Sequence, residues 1–372
     1  MANLYALIMA GQMYDQSKLE ISSSQFTYTI TNVLSGIELD SRRYVLIVDK
    51  NVLPATKELF LSPHLSIYVE ISEETKTLNT VQSILENLAD ARITKSDLIV
   101  AVGGGALQDL VTLVASLYMR GIDWIYVPTT LMSMLDSCIG GKSSINIGTH
   151  KNVVGNFFPP HQVYIETNYL KTLELVDIAA GISEGVKICF ASRIETAQNF
   201  QELINAWQTS TDEQTILQAI FLSLRTKKWF VEVDEFDKKE RKLLNFGHSF
   251  GHALESATNF AIPHGIGVFV GMEAAIHYSG SALACNGLSE FIVNQVQPVS
   301  QNFPKFDFNS TQFLKAIKSD KKNTNTHQVL ILPDSKGALS EAKIEIHEDN
   351  FSKCLSSTIQ ALDKLGFKYE VL

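Results

Sequence analysis

The sequence predicts an open α/β fold with a mainly parallel sheet in its first half, joined near residue 175 to a helical second half. Short β-branched apolar runs recur at 44–49, 65–71, 97–102, 124–127 and 162–166, with helix-period stretches such as 78–91 and 106–120 between them. Several runs are apolar at successive positions, as strands covered on both faces of a parallel sheet are. After Thr172 the pattern turns helical almost without interruption, through 177–194, 196–207, 212–233, 243–260 and 267–286.

With 372 residues the chain has room for two cores of ordinary size. Hydrophobic content of 45% and a mean hydropathy of +0.06 fit a water-soluble globular protein. The longest apolar runs, 98–102 and 265–272, fall far short of the roughly 20 residues that a bilayer-spanning helix needs. No basic segment precedes the mildly apolar N-terminus, so a cytoplasmic protein with no membrane partner is expected. Cys138, Cys189, Cys285 and Cys354 are scattered without CxxC spacing, which argues against a disulfide framework and a cysteine zinc site. A net charge of −9 disfavours nucleic acid or an anionic membrane as partner, and an anionic small substrate would need a local cluster of Lys and Arg.

In chain order, residues 27–34 alternate partially, as an early strand would, and nothing in 1–43 suggests chemistry. The run 44–49 ends in Asp49, with Asn51 beside it at the expected ligand edge, and the next run leads into Glu73 and Lys76. Gly103, Gly104 and Gly105 form a strand-to-helix turn that can present backbone N–H groups to a phosphate, or serve only as a tight turn. Thr129 and Thr130 follow Pro128 and can cap the next helix or bind a ligand. The strand ends together should form a nucleotide-sized crevice. Residues 136–152 are small and polar and carry Lys142, Lys151 and Asn152, as either a solvated or a binding loop would. Glu184 and Lys187, three apart on a helix, read by default as a surface ion pair, and the charged stretch 319–323 as a solvated loop.

The stretch 241–260 and the pair His264–Gly265 concentrate the chemistry. His248 and His252 are four apart and share a helix face, and His264 follows Pro263 at a helix boundary from which it can fold back toward them. All three imidazoles are candidate ligands for a metal or a substrate. Gly247 and Gly251 leave that helix bare, at about 1 kcal/mol each relative to Ala, so another backbone or a ligand is expected against them.

GGGALQD at 103–109, YMRG at 118–121, VPTTLMSMLDSCIGGKSSIN at 127–146, KNVVGNFFPP at 151–160, GISEGVK at 181–187, RKLLNFGHSFGHALE at 241–255 and PHG at 263–265 occur in this order. Together they resemble the sugar-phosphate cyclase family, and within it most closely the 3-dehydroquinate synthases, over about 44–322. The resemblance implies a Rossmann-like NAD-binding domain over 1–175 and an all-helical metal- and substrate-binding domain over 176–372. It implies a zinc or cobalt ion on Glu184, His248 and His264, which frees His252 for catalysis and phosphate contact. NAD would contact Asp49, Asn51, Glu73, Lys76, Gly104, Gly105, Asp109, Thr129, Thr130, Lys151 and Thr172. A phosphorylated sugar acid would meet Lys142, Asn152, Lys227, Arg241, Asn245 and Lys322, while Asp136, Lys187 and Asp237 complete the catalytic pocket. Arg120 would reach into the site of a neighbouring subunit, which implies a homodimer.

The implied reaction oxidises the C5 alcohol of 3-deoxy-arabino-heptulosonate 7-phosphate with NAD, eliminates phosphate, reduces the ketone again and closes the ring by aldol addition. Gln108 where glycine is common, Asp177 where glutamate is usual, Asp237 in place of a longer acid, and Ile266 where His-Gly is usually followed by Glu depart from the pattern. These bear on substrate identity, and the alternative is a related cyclase acting on a sugar such as sedoheptulose 7-phosphate. Arg241 and Asn245 favour the carboxylated substrate. An alternative of another class, a metal-dependent NAD polyol dehydrogenase, is disfavoured by Lys142, Lys151 and Lys227.

Overall fold

The computed structural model describes residues 18–23, 26–32, 37, 39, 41–52, 60, 62–148, 150–320 and 322–372. The expectations for residues 1–17 and for positions 33–34 of the early strand lie outside the described residues.

Strands of the first half are β1 (Lys18–Ser22), β2 (Thr27–Asn32), β3 (Tyr44–Asp49), β4 (Leu65–Val69), β5 (Leu98–Gly103), β6 (Trp124–Pro128), β7 (Ile145–Ile147), β8 (His150–Val154) and β9 (Gln162–Ile165). Seven join one sheet in the order β1-β2-β9-β6-β5-β3-β4, parallel throughout except for the antiparallel β1–β2 edge. The central strands are apolar and buried at nearly every position because both sheet faces are covered. α1 (Leu78–Asp90) starts at Thr77, whose side chain accepts from Thr80 N, and α2 (Gly105–Leu117) starts directly after β5. Arg43 before β3 and Asp97 before β5 tie neighbouring strand starts together through Nε–Oδ1 at 2.9 Å and Nη2–Oδ2 at 2.5 Å. β7 and β8 pair as a separate antiparallel hairpin within the stretch whose simplest expectation was a solvated loop.

The second half holds α3 (Leu175–Ser192), α4 (Ile194–Ser210), α5 (Glu213–Val233), α6 (His248–Ala257), α7 (His264–Ser279), α8 (Asn286–Ser300), α9 (Ser310–Lys318) and α10 (Glu348–Lys364). It is helical but not all-helical: β10 (Phe306–Phe308) pairs with β13 (Tyr369–Val371), and β11 (His327–Pro333) with β12 (Leu339–Glu345). The first pair is too short to show a strand period. α7 is buried from Gly265 through Ile276 and is apolar there except for Glu273, whose carboxylate accepts from Ser289 Oγ at 2.7 Å and Lys364 Nζ at 2.6 Å. One hydrophobic cluster runs from β1 through the sheet into α10, and a small second one gathers Ile188, Ala191, Phe230 and Leu244.

The single helix expected over 243–260 is instead a 3-10 turn at Glu240–Asn245, a break at Gly247 and then α6. Gly247 has φ +78°, and a Cβ there would lie 2.8 Å from both Val268 O and Met272 N. At Gly251 it would lie 2.8 Å from Gly267 O. What sits against the bare glycine face is therefore the backbone of α7. Likewise the helix expected over 267–286 stops early: α7 ends at Ser279, where Gly280 is left-handed at φ 71°, and α8 starts only at Asn286.

Candidate active site

At the C-terminal edge of the sheet, Asp49 ends β3 and its Oδ1 accepts from Asn51 N at 3.0 Å. Lys76, nearly fully buried, gathers three partners: Asn152 Oδ1 at 2.8 Å, Asp109 Oδ2 at 3.2 Å and Glu73 Oε1 at 3.3 Å. Burial raises the Asp109 carboxyl to about 6 against the pull of Lys76. Gly104 and Gly105 open α2 behind this group, and a Cβ on Gly104 would come 3.0 Å from Thr130 Cγ2. Thr129 is buried with its N–H on Gly103 O, while Thr130 Oγ1 accepts from Ser133 N at 3.2 Å, so Thr130 acts as a helix cap. Thr172 closes a 3-10 turn with its hydroxyl on Tyr169 O, and Lys151 Nζ stands 3.4 Å above the Phe260 ring, joining the β7–β8 hairpin to the turn after α6.

Packing of α3, α6 and the N-terminus of α7 brings Glu184, His248, His252 and His264 together. Glu184 Oε1 lies 3.4 Å from His264 Nε2 and 3.8 Å from His248 Nε2, is buried, and makes no hydrogen bond. The other ring nitrogens are occupied: His248 Nδ1 meets Phe246 O at 3.2 Å, and His264 Nδ1 meets Glu255 Oε1 at 2.7 Å. Both Nε2 atoms are thereby turned toward the orphaned carboxylate oxygen. Ligand nitrogens of His248, His252 and His264 lie within 4.8 Å of one another. Burial, then the Lys187 ammonium, pushes His248 well below its ordinary value and keeps the imidazole neutral. Partial burial would lower His264 as well, but the carboxylates of Glu184 and Glu255 reverse this and raise it to about 10. A buried acceptor without a donor and two imidazole nitrogens directed at it together fit a divalent cation.

Glu184 and Lys187 are not the expected surface pair. They hydrogen-bond to each other with side chains only 3% and 4% exposed, because α3 is buried all along this stretch. Burial raises the Glu184 carboxyl, yet Lys187 and His264 outweigh it and hold the group below the usual carboxylate range. Beside this pair stands a second cationic group. Lys227 is lowered by burial, and Arg241 and Lys187 add to the effect while Asp136 opposes it. Lys142 is lowered by partial burial and then by Arg241, although its Nζ bonds Asp237 Oδ2 at 2.9 Å. Asp237 Oδ1 is buried without a partner. Lys142, Lys227, Lys187 and Arg241 thus lie close enough to act on one another, with Asp136 and Asp237 opposing them.

Arg241 is buried, donates from Nη1 to Glu235 O at 2.7 Å, and sits so close to Gly140 that a Cβ there would lie 2.5 Å from Nη2. The break puts Arg241 and Asn245 in the 3-10 turn ahead of α6; Asn245 Nδ2 donates to Lys242 O at 3.1 Å. Asp320 and Lys322 dock on α6: Ser249 Oγ donates to Asp320 Oδ2 at 2.7 Å, and Lys322 Nζ lies 3.1 Å from Ser249 Oγ and 3.2 Å from Asp320 Oδ2. Arg120 is exposed in a kinked turn after α2 in which Met119 and Arg120 are both left-handed, at φ 47° and 61°.

Sequence reasoning missed Glu255, Tyr28 and the role of Gln108. Glu255 had a signal, standing three residues after His252 on the same helix. Tyr28 had none: its hydroxyl, which accepts from Gly140 N at 2.8 Å, lies in a stretch credited only with structure.

The sequence model described as 3-dehydroquinate synthase N-terminal matches residues 66–180, and that described as 3-dehydroquinate synthase C-terminal matches 181–323. A 3-dehydroquinate synthase of Streptococcus pyogenes serotype M49 (strain NZ131) is 34% identical over 340 residues, covering 88% of this chain and 94% of the relative. One from Clostridium tetani (strain Massachusetts / E88) is 34% identical over 297 residues, covering 78% of each. Among solved structures, ValA (2-epi-5-epi-valiolone synthase) from Streptomyces hygroscopicus subsp. jinggangensis 5008, with NAD+ and Zn2+ bound, has a TM-score of 0.76 at 21% identity and covers 92% of this chain and 98% of its own. 2-deoxy-scyllo-inosose synthase complexed with carbaglucose-6-phosphate, NAD+ and Co2+ has a TM-score of 0.74 at 22% identity, covering 91% and 98%. An iron-containing alcohol dehydrogenase from Thermotoga maritima shares the fold at a TM-score of 0.59 and 13% identity, covering 86% and 92%. The motifs, the two family models that together span both halves, and these relatives agree: the chain belongs to the 3-dehydroquinate synthase family.

Proposed function

We propose that the chain converts 3-deoxy-arabino-heptulosonate 7-phosphate to 3-dehydroquinate and phosphate. The observation that carries this reading is the cationic group of Lys142, Lys227 and Arg241 beside a cation-ready trio of Glu184, His248 and His264, in a chain 34% identical to 3-dehydroquinate synthases. NAD is assigned to the ligand edge formed by Asp49, Lys76, Asp109 and the α2 N-terminus, a polar cradle whose glycines leave backbone N–H groups free to meet a pyrophosphate. Bound there, NAD would supply a hydride acceptor, and a zinc or cobalt ion on the trio would supply Lewis acidity.

The chain's own residues bind and orient. Lys142 and Lys227 neutralise the phosphate as it departs, and His252, its ring centroid 5.3 Å from His248 and 5.5 Å from His264, adds an imidazole at the same place. Arg241, one of whose nitrogens is already anchored on Glu235 O, offers its planar fork to the carboxylate, with Asn245 beside it. Asp136, clamped by Lys227, and Lys187, clamped by Glu184, hold substrate hydroxyls in place for elimination and ring closure, steps for which orientation supplies most of the acceleration. Lys322 and Asn152 complete the anion contacts.

Further parts of the proposal are an NAD-binding unit over 1–175, a metal- and substrate-binding unit over 176–372, a cytoplasmic location, and a homodimer in which the exposed Arg120 serves the partner's site. Among the described residues no helix is long and apolar enough to cross a membrane.

Incubating the protein with NAD, zinc and the heptulosonate phosphate should release phosphate with no net NADH. Turnover of sedoheptulose 7-phosphate in its place would transfer the assignment to a sister cyclase, and accumulation of NADH on a simple polyol would move it to the dehydrogenases.

A further inference from the structure

Residues Ser133–Ser137 form a π-helical turn that carries Asp136. Such a wide turn leaves carbonyls outside the regular ladder, where they need other donors. Three consecutive carbonyls receive one each from a side chain. Ser223 Oγ donates to Leu135 O at 2.9 Å, Lys227 Nζ to Asp136 O at 2.7 Å, and Gln108 Nε2 to Ser137 O at 2.8 Å. Ser223 and Lys227 lie four apart on one face of α5, in the second half. Gln108 comes from the opposite side, in the first turn of α2.

Gln108 does more than cap. Its Oε1 accepts from Ser137 Oγ at 2.8 Å, so the two residues exchange a reciprocal pair of hydrogen bonds, and Gln108 is 2% exposed. The orientation of the amide is chemically forced, since a carbonyl can only accept and must therefore face the NH2 end. The same turn approaches the start of α2 directly: a Cβ on Gly105 would lie 3.3 Å from Ser137 Oγ. Glycine, common at position 108 in the family this chain resembles, has no side chain with which to make either bond.

We propose that Gln108 is a positioning residue that couples the N-terminus of α2 to the Asp136 turn, so that occupation of the cofactor edge is transmitted to the group that holds the substrate. The substrate part of this inference rests on the function proposed above; the coupling itself does not. NAD at the start of α2 restrains that helix, and the Gln108–Ser137 clasp passes the restraint to the turn whose other side is bolted to α5.

The test compares wild type with Gln108→Leu, which keeps the volume and removes both bonds, by hydrogen–deuterium exchange over 131–142 with and without NAD. In wild type NAD should slow exchange in this segment. In Gln108→Leu, NAD should bind within about twofold of wild type while the slowing disappears, a loss that general destabilisation would not produce because it speeds exchange with and without NAD alike. With the heptulosonate phosphate, kcat of the variant should fall about tenfold at a KM within about twofold. No slowing by NAD in wild type, or equal slowing in the variant, overturns the coupling. Coupling lost in the variant together with a wild type that releases no phosphate would instead overturn the proposed function and leave the inference standing. Should Gln108→Leu not fold, Ser137→Ala, which drops one of the two bonds, should remove about half of the NAD-linked slowing, and unchanged slowing there overturns the proposal.

Discussion

Lys227 Nζ donates to both the carbonyl oxygen and the carboxylate of Asp136, at 2.7 Å each, so that an ammonium from the helical half is closed over a turn of the α/β half. With the Lys227 side chain only 8% exposed and that of Asp136 22%, replacing Lys227 with Met strands a half-buried carboxylate. Lys227→Met should therefore cost about 3 to 5 kcal/mol in urea unfolding, whereas the double change with Asp136→Asn should recover part of that loss. Additive single losses would show that the pair does not interact as the geometry requires.

Glu255 should govern metal affinity without being a ligand. It takes His264 Nδ1 at 2.7 Å and so directs Nε2 toward Glu184. Glu255→Gln is expected to weaken zinc or cobalt binding about 10- to 100-fold in a chelator competition. Affinity within twofold of wild type would remove Glu255 from the site.

Gly271→Ala is a case in which two effects of opposite sign compete. Helix propensity alone favours Ala by about 1 kcal/mol. Against it, the new Cβ would lie 2.0 Å from Gly247 O, a backbone atom that can yield only by separating α6 from α7. Crowding should win, with a loss of about 3 kcal/mol measured by denaturant unfolding and a weaker metal site, since these two helices carry His248 and His264.

Asp97 links stability to pH. Hydrogen bonds from Arg43, outweighing burial and helped by Thr94, hold its carboxyl below the usual range. A depressed folded-state value means that the unfolded chain binds the proton more readily. The stabilisation is therefore complete above the unfolded value of about 3.9 and is lost as pH falls through the folded one. Asp97→Asn should cost about 2 kcal/mol at neutral pH, and the gap to wild type should shrink steadily below about pH 4. A gap that stays constant with pH would refute the assignment.

Much of the framework was legible from the residues in order. The run at 44–49 became β3 with the same limits, and the glycine turn at 103–105 did join a strand to a helix. His264 did fold back to His248 and His252 from the boundary that Pro263 marks. Less legible was anything that depends on what lies opposite. Glu184 and Lys187 carry the spacing of an ordinary surface pair, and only the enclosure of α3 makes them a buried one. The bare glycines at 247 and 251 announced a close approach, while the approaching partner, the α7 backbone, could not be read from their own neighbours. Gln108 and Ser137 stand 29 positions apart, with nothing local to link them.

The alternation of strand and helix, the glycine turns and the family could all be read from residues in order, because periodicity, turn chemistry and ordered motifs are properties of neighbours along the chain. Tertiary structure alone decided which polar groups meet. Glu184, His248 and His264 converge because α3, α6 and α7 pack at near-backbone contact, and that packing leaves one carboxylate oxygen buried without a donor, facing two imidazole nitrogens held in the orientation a cation needs.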